Sequence, residues 1–358
     1  MREPAIYIDC HGHFTTVPRA VLDWRARQID AFARTRRRLS PEQLSVGDDE
    51  LAAAIEAGQL ALQREHGISV TLLSPIAGQM GHHHGDVEMS LTWSRLSNDL
   101  IARVCALFPS SFVGVAQLPQ SPGAPIDECV TELERCVSKL GFVGANLNPD
   151  PSDGHWDAVA LTDERYYPLY EKLVELDVPA MVHTSASCNP AVHGTCAHYL
   201  NGDTTAFMQL CLSDLFATFP RLRLIIPHGG GAVPYHWGRY RGVMQDLGRP
   251  APEELLGDNV FFDTCVYWRK GLELLVSTVP PENILFASEM IGAVKGIDPE
   301  SGRRYDDTRF LLDGIDTLAD EPRAAIACDN ALRVYGRLGG VLAERRGEPA
   351  VPSPRPRS

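Results

Sequence analysis

The chain has 358 residues, of which 44% are hydrophobic and 22% charged, a composition typical of a globular protein that buries a large core. Its formal net charge of -13 argues against non-specific binding to nucleic acid or to anionic membranes. The nine cysteines include no Cys-x-x-Cys pair, so they favour neither a disulfide framework nor a structural zinc knuckle. Without a basic leader or a long apolar run, the sequence predicts an untargeted, cytoplasmic protein.

Short apolar segments typical of strands alternate with segments of helical periodicity along most of the chain. The strand-like segments are 6–9, 69–74, 112–116, 142–147, 178–183, 223–228, 260–263 and 283–287. The predicted helices include 91–108, 127–140, 166–176, 207–219 and 272–279. Eight strands in one alternation predict an α/β fold, the (β/α)8 TIM barrel, whose catalytic groups lie at the C-terminal ends of the strands.

The predicted domain organisation is a single barrel domain over residues 1–341. Residues from about 18 to 65 are predicted to form a helical insertion after the first strand, and 342–358, rich in proline and arginine, a mobile tail. Within the insertion, residues 40–43 (SPEQ) are typical of a helix start. A cluster of four arginines in the insertion predicts a solvated face rather than an anion site; its members are Arg34, Arg36, Arg37 and Arg38.

Three consecutive histidines, His82, His83 and His84, follow the second predicted strand in a glycine-containing loop. Such a tract is either a polar loop tip or, because it follows a barrel strand, part of a loop that faces substrate. The sequence leaves their role open.

Side chains that bind metals follow several of the predicted strands. His11 and His13 end the first strand, and the two-residue period of a strand sends both imidazoles to the same side. His183, His228 and Glu289 each come directly after another short apolar run. Because the ends of parallel barrel strands meet at one rim, this convergence predicts a metal site.

An esterase is the first alternative raised by the stretch Pro227 to Gly231, which is similar to a glycine-rich oxyanion loop. The sequence contains no Gly-x-Ser-x-Gly segment that could supply the nucleophile. We therefore set the esterase interpretation aside.

A family resemblance emerges from residues 9–13 (DCHGH), 176–183 (LDVPAMVH) and 219–230 (FPRLRLIIPHGG). These segments resemble the amidohydrolase superfamily, in particular its branch of non-hydrolytic lyases, the aminocarboxymuconate semialdehyde decarboxylase-like group. Most of that branch has an aspartate after the eighth strand, whereas this chain has Glu289. Together with residues 11–16, 296–299 and 305–308, this departure resembles a subgroup of hydratases that act in aromatic acid breakdown.

The resemblance implies one zinc ion per chain, with manganese or cobalt as possible substitutes. It implies the metal ligands His11, His13, His183 and Glu289. It also implies that water is added to the double bond of an unsaturated oxo-tricarboxylate. His228 is the candidate that orients or deprotonates the water, although Glu289 could take that proton instead.

The remaining candidate residues concern the substrate. Tyr199 is either the acid that protonates the carbanion or an aromatic packing residue. Lys295, Arg303 and Arg304 are candidate clamps for the substrate carboxylates, and Asn146 on the fourth strand is a further candidate substrate-binding residue.

Three other functions remain open. A metal-dependent decarboxylase of an aromatic or muconate-type acid would use nearly the same ligands, and release of carbon dioxide would identify it. A lactone or amide hydrolase is disfavoured because the branch resembled is non-hydrolytic, and a barrel that only binds a metal would need no set of ligands for a reactive metal. The expected partners are a small polycarboxylate and a second copy of the chain in a homodimer, with no nucleic acid and no membrane.

Overall fold

A computed structural model describes residues 6–347 as a parallel β-barrel surrounded by helices. The strands are β1 (Ile8–His13), β2 (Val70–Ser74), β3 (Phe112–Gly114), β4 (Ala116–Gln117), β5 (Ala145–Leu147), β6 (Ala180–Val182), β7 (Leu224–Ile226), β8 (Val260–Asp263) and β9 (Ile284–Leu285). Every strand pair is parallel, in the orders β1-β2-β3 and β4 to β9.

Backbone hydrogen bonds close these two sheets into one barrel. Cys10 N donates to Phe286 O at 2.9 Å and so joins the first strand to the last. Val115 N donates to Leu73 O at 2.9 Å, which shows that β3 and β4 are two halves of one barrel strand. The eight predicted strands are therefore all present, and the predicted (β/α)8 barrel is confirmed.

The α-helices run along the barrel exterior and the loops. They are α1 (Arg19–Thr35), α2 (Asp48–Ala57), α3 (Gln59–Glu65), α4 (Ala77–Met80), α5 (Val87–Leu107), α6 (Ile126–Leu140), α7 (Tyr167–Glu175), α8 (Tyr199–Cys211), α9 (Leu215–Thr218), α10 (Trp237–Asp246), α11 (Pro252–Leu256), α12 (Arg269–Thr278), α13 (Thr308–Asp313), α14 (Asp320–Ala324), α15 (Asn330–Val334) and α16 (Leu338–Arg346).

Alternating strand residues divide the core into an inner and an outer layer. Val70, Leu72, Met181, Ile225 and Phe261 pack together inside the barrel, whereas their strand neighbours pack against the surrounding helices. Residues of α15 and α16 join the inner cluster. Because the interior is filled by side chains, the polar residues at the C-terminal strand ends lie at the rim of a packed core rather than in a channel.

The segment between β1 and β2 contains α1, α2 and α3. Its status as an insertion over residues 18–65 of a single domain stays a prediction. The predicted helix start at 40–43 forms only one 3-10 turn, Pro41–Gln43, in which Ser40 Oγ accepts a hydrogen bond from Glu42 N. The predicted solvated arginine face is confirmed, since Arg34, Arg36, Arg37 and Arg38 are all exposed.

The prediction of a mobile tail from residue 342 is wrong for its first residues. Residues 342–346 belong to α16, and Leu342 and Ala343 are buried against the barrel. An apolar pair one helical turn from Leu338 binds this segment to the core. Residues 348–358 lie outside the described residues. Within 6–347, no helix combines the length and the apolar character needed to cross a bilayer.

Candidate metal centre and active site

Three imidazoles converge at the C-terminal rim of the barrel. His11 Nε2 lies 3.1 Å from His13 Nε2 and 2.9 Å from His183 Nε2. Zinc–nitrogen bonds of about 2.0–2.1 Å would place tetrahedral ligand atoms about 3.3 Å apart, so the observed spacing fits one cation between them. Gly12 separates the first two histidines because a Cβ there would lie 2.1 Å from Thr71 Cγ2.

The Nδ1 atoms of His13 and His183 show why the Nε2 atoms of these two residues are available as ligands. His13 Nδ1 lies 2.9 Å from Pro75 O, and His183 Nδ1 lies 2.7 Å from Thr184 O. A carbonyl oxygen only accepts, so both Nδ1 atoms carry the proton and both Nε2 atoms present lone pairs. Burial lowers the pKa of both histidines well below the usual value, which keeps them neutral. Lone pairs that face each other at this distance need a cation or a proton between them.

Glu289 completes the group of potential ligands. Its carboxylate and the three Nε2 atoms lie within 4.8 Å of one another, and all four residues are buried. Oε1 is 3.9 Å from His13 Nε2, whereas Oε2 accepts a hydrogen bond from the Tyr267 hydroxyl. Three neutral imidazoles and one carboxylate are a donor set suited to zinc and to similar divalent ions. The residues present therefore fit the metal that the family implies.

At three residues of the site the backbone adopts a conformation that residues other than glycine seldom adopt. His228, Tyr267 and Glu289 have φ values of 52°, 60° and 48°, all in the left-handed region. Such residues cost about 1–3 kcal/mol each and persist where surrounding contacts fix them. Glu289 N donates to His11 O at 2.9 Å, so the turn that carries the carboxylate is tied to the strand that carries two of the histidines.

His228 lies beside the ligand group but has a different environment. Its Nδ1 is 2.9 Å from Asp203 Oδ2, and its buried Nε2 has no hydrogen-bond partner and lies 3.8 Å from Glu289 Oε2. Burial lowers the pKa of His228, but Asp203 and the nearby acids Glu289 and Asp263 raise it to about 9. The positive charge of a divalent ion at the ligand group would counteract the effect of those acids and lower the pKa of His228 again. His228 could then exchange a proton through Nε2.

Tyr199 is the first residue of α8 and lies at the same rim. Its ring stacks on His228 with centroids 5.6 Å apart and meets His183 edge-on at 5.5 Å. Burial raises the pKa of its hydroxyl, and Glu289 and Asp153 add to the effect. The hydroxyl therefore stays protonated at neutral pH and is a weak acid, which gives up its proton only to a strong base such as a carbanion.

The predicted carboxylate clamps receive no support from their surroundings. Lys295 is exposed on the loop after Glu289. Arg303 Nη1 bonds Asp307 Oδ2 at 2.8 Å, and Arg304 bonds both oxygens of Asp306 at 2.8 and 2.9 Å. Both arginines are thus already paired within their own loop, and their role in substrate binding stays a prediction.

Asn146 and two histidines of the 82–84 tract lie beside buried polar groups. Asn146 is on β5, and its Nδ2 is buried without a hydrogen-bond partner. In the histidine tract, His83 bonds the buried carboxylate of Asp153, and His82 is buried with Nδ1 unpaired. Met80 of the same loop contacts Tyr199, so this loop borders the active site rather than forming a distant polar tip.

The sequence analysis missed Asp203, Asp263 and Tyr267. Asp263 ends β8, as the histidines end their strands, so its position was a usable signal. Asp203 lies within α8, and Tyr267 follows β8 in a loop, where only the fold brings them to His228 and Glu289. Asp263 Oδ2 is 2.7 Å from His11 Nδ1, and its Oδ1 accepts from Gly229 N at 3.0 Å.

We expect Asp263→Asn to weaken metal binding by about 10- to 100-fold, because it removes the anionic partner that orients His11. Competition with a chelator measures the affinity. The matched control is Asp23→Asn, because Asp23 is exposed and pairs with Arg19. An Asp263→Asn protein with native affinity would show that His11 does not depend on this carboxylate.

Comparisons with known proteins identify the family of the chain. The family model described as amidohydrolase matches residues 8–337. The chain is 52% identical to a 2-keto-4-carboxy-3-hexenedioate hydratase from Sphingobium sp. strain SYK-6, over 94% of this chain and 98% of the relative. A crystal structure of 4-oxalomesaconate hydratase, LigJ, from Rhodopseudomonas palustris is 49% identical and has a TM-score of 0.88, covering 95% of this chain and 99% of that one.

Decarboxylases are more distant relatives. A gamma-resorcylate decarboxylase from Rhizobium radiobacter is 33% identical over 51% of this chain and 57% of the relative. The match of the family model over most of the barrel, together with full-length relatives, shows that the chain belongs to the amidohydrolase family.

Proposed function

We propose that this protein is a metal-dependent hydro-lyase that hydrates 2-keto-4-carboxy-3-hexenedioate, which differs from 4-oxalomesaconate in the position of its double bond. The observation that carries the proposal is the similarity to two hydratases over 94% and 95% of the chain. The decarboxylase relatives are 33–34% identical over 51–52% of the chain or 21–26% identical over 62–79% of it, so the hydratase is the better-supported function.

The chemistry of this substrate follows from its name. It carries three carboxylates and a ketone, and its carbon-carbon double bond is conjugated to the ketone. Hydroxide adds to the alkene carbon that is farther from the ketone, and the electron pair moves toward the ketone oxygen. A proton then enters at the carbon beside the ketone. The active site must therefore supply a base for water and an acid for that carbon.

A divalent cation held by His11, His13, His183 and Glu289 would make hydroxide available at neutral pH by lowering the pKa of water. His228 is proposed to accept the proton of the water through Nε2, because Asp203 holds Nδ1 and Nε2 is free of hydrogen bonds. Tyr199 stacks on that imidazole and is proposed to donate a proton to the carbon beside the ketone. Glu289 is the alternative base, since its Oε2 lies 3.8 Å from His228 Nε2.

We expect about one zinc ion per chain, because three imidazoles and one carboxylate suit zinc better than magnesium or calcium. Protein stripped of metal and then supplied with zinc, manganese or cobalt is analysed for bound metal by elemental analysis. A protein that never retains about one equivalent of any of them would contradict the assignment of the ligands.

The assay of the function follows absorbance and carbon dioxide together. Hydration breaks the conjugation between the alkene and the ketone, so the ultraviolet absorbance of 2-keto-4-carboxy-3-hexenedioate should change while no carbon dioxide is released. Release of carbon dioxide in proportion to substrate consumed would support the decarboxylase instead. A cytoplasmic location and a homodimer stay predictions, and sedimentation of the purified protein tests the second.

A further inference from the structure

The charge of the active site creates a need that its known residues do not meet. Asp9, Asp203, Asp263 and Glu289 are all buried at this rim, and the proposed substrate brings three more carboxylates. One divalent cation cannot balance these charges. A buried cationic group from the protein is therefore needed for the substrate carboxylates that lie away from the metal.

Arg25 of α1 is such a buried cationic group. Among residues 6–347 it is the only arginine or lysine that is buried, with 4% of its surface exposed. Nη1 donates to Gln28 Oε1 at 2.7 Å and Nη2 to Gly81 O at 3.4 Å, and both acceptors are neutral. The guanidinium lies 4.7 Å above the Trp93 ring. No ion pair joins Arg25 to any carboxylate of the described chain.

A buried guanidinium without an anion is unfavourable. Burial lowers the pKa of Arg25 to about 9, which reflects the loss of hydration of the charge. A buried charge that lacks a partner of opposite charge is strongly destabilising. The side chain of Gln28 adds a second unsatisfied donor, because its Nε2 is buried with no acceptor while its oxygen binds Arg25. A bound carboxylate would satisfy both groups.

The loop after β2 connects Arg25 to the catalytic residues. Gly81, which accepts from Arg25, lies between Met80 and His82 in the chain. Met80 contacts Tyr199, and Tyr199 stacks on His228. His82 is buried with Nδ1 unpaired, so it adds another polar atom without a partner to this wall of the site.

We propose that Arg25, together with the neighbouring Gln28 and His82, binds a substrate carboxylate that lies away from the metal. This inference rests on the proposed function in that it assumes a polycarboxylate substrate. It differs from the sequence prediction, in which the clamps were Lys295, Arg303 and Arg304. The planar guanidinium can bind both oxygens of one carboxylate, and its position above Trp93 fixes its plane.

The test compares binding of two inert ligands to the metal-loaded protein by isothermal titration calorimetry. Propane-1,2,3-tricarboxylate offers a third carboxylate that glutarate lacks. We expect the wild-type protein to bind the tricarboxylate roughly 10- to 100-fold more tightly than glutarate, as one additional charged hydrogen-bonded pair predicts. Arg25→Met keeps the length of the side chain but should remove this preference. Arg34→Met is the control, because Arg34 is exposed on the same helix and pairs with Asp30.

Retention of the full tricarboxylate preference by Arg25→Met would overturn the proposal. If Arg25→Met does not fold, Arg25→Lys keeps the charge without the planar fork, and we expect it to weaken tricarboxylate binding about tenfold while glutarate binding stays unchanged. Equal binding of the tricarboxylate by Arg25→Lys and wild type would contradict the proposal as well. These titrations need no turnover, so a protein that binds tricarboxylates through Arg25 but does not hydrate 2-keto-4-carboxy-3-hexenedioate would disprove the proposed reaction and leave the binding site standing.

Discussion

Replacing Glu289 by glutamine is expected to weaken metal binding and to reduce hydration by about 10²- to 10⁴-fold. The neutral amide is a poorer ligand than the carboxylate, and it cannot act as a base. The substitution also removes the negative charge from the group that accepts a hydrogen bond from the Tyr267 hydroxyl. Elemental analysis and the hydration rate of the same preparation measure both effects. Glu282→Gln is the matched control, because Glu282 is exposed just before β9.

Glu289→Asp tests the position of the carboxylate rather than its charge. The aspartate is shorter by one methylene, so its oxygens are displaced from the three imidazoles by about one carbon-carbon bond. A misplacement of this size can reduce the rate by about 10²-fold. If Glu289→Asp is fully active, or if Glu289→Gln keeps full metal content and full rate, the carboxylate is neither a ligand nor a base. The decarboxylase would then become the stronger candidate.

Tyr199→Phe is expected to lower kcat by roughly 10²- to 10⁴-fold with a much smaller change in KM, because the hydroxyl acts in the transition state. The phenyl ring preserves the packing against His183, His228 and Met80. Metal content should therefore stay at the wild-type value. Steady-state kinetics and elemental analysis measure these quantities.

The control for this variant is Tyr235→Phe, since Tyr235 is 78% exposed. A Tyr199→Phe protein with nearly native kcat would show that the tyrosine only packs against the two histidines. Loss of metal together with activity would instead show that its hydroxyl helps to hold the ligand group together.

The fold and the convergence of the four candidate metal ligands could be predicted because they depend on local patterns. Strands buried on both faces form short apolar runs, and residues that end parallel strands meet at one rim. His11, His13, His183 and Glu289 carried both signals, and their predicted convergence agrees with the structure. The third barrel strand is split into β3 and β4, but nothing in the continuous apolar run of residues 112–116 predicts this split.

The environment of the ligands was harder to predict, because it depends on contacts between distant segments. Asp203 reaches His228 only after α8 packs beside β7, and no local pattern identifies it. The arginines of residues 303 and 304 looked available in the sequence, but carboxylates within four residues of each bind them. No local pattern distinguishes Arg25 from the other arginines between the first two strands, and only the packing of the loop after β2 against it shows that it is buried.

The proposed reaction adds water to a carbon-carbon double bond without loss of carbon. Mass spectrometry of the product that metal-loaded protein forms from 2-keto-4-carboxy-3-hexenedioate in water labelled with oxygen-18 tests this reaction. We expect a product that contains every substrate carbon and one labelled hydroxyl oxygen, and no carbon dioxide. A product that has lost a carboxylate, or recovery of substrate unchanged by protein with a full complement of metal, would contradict it.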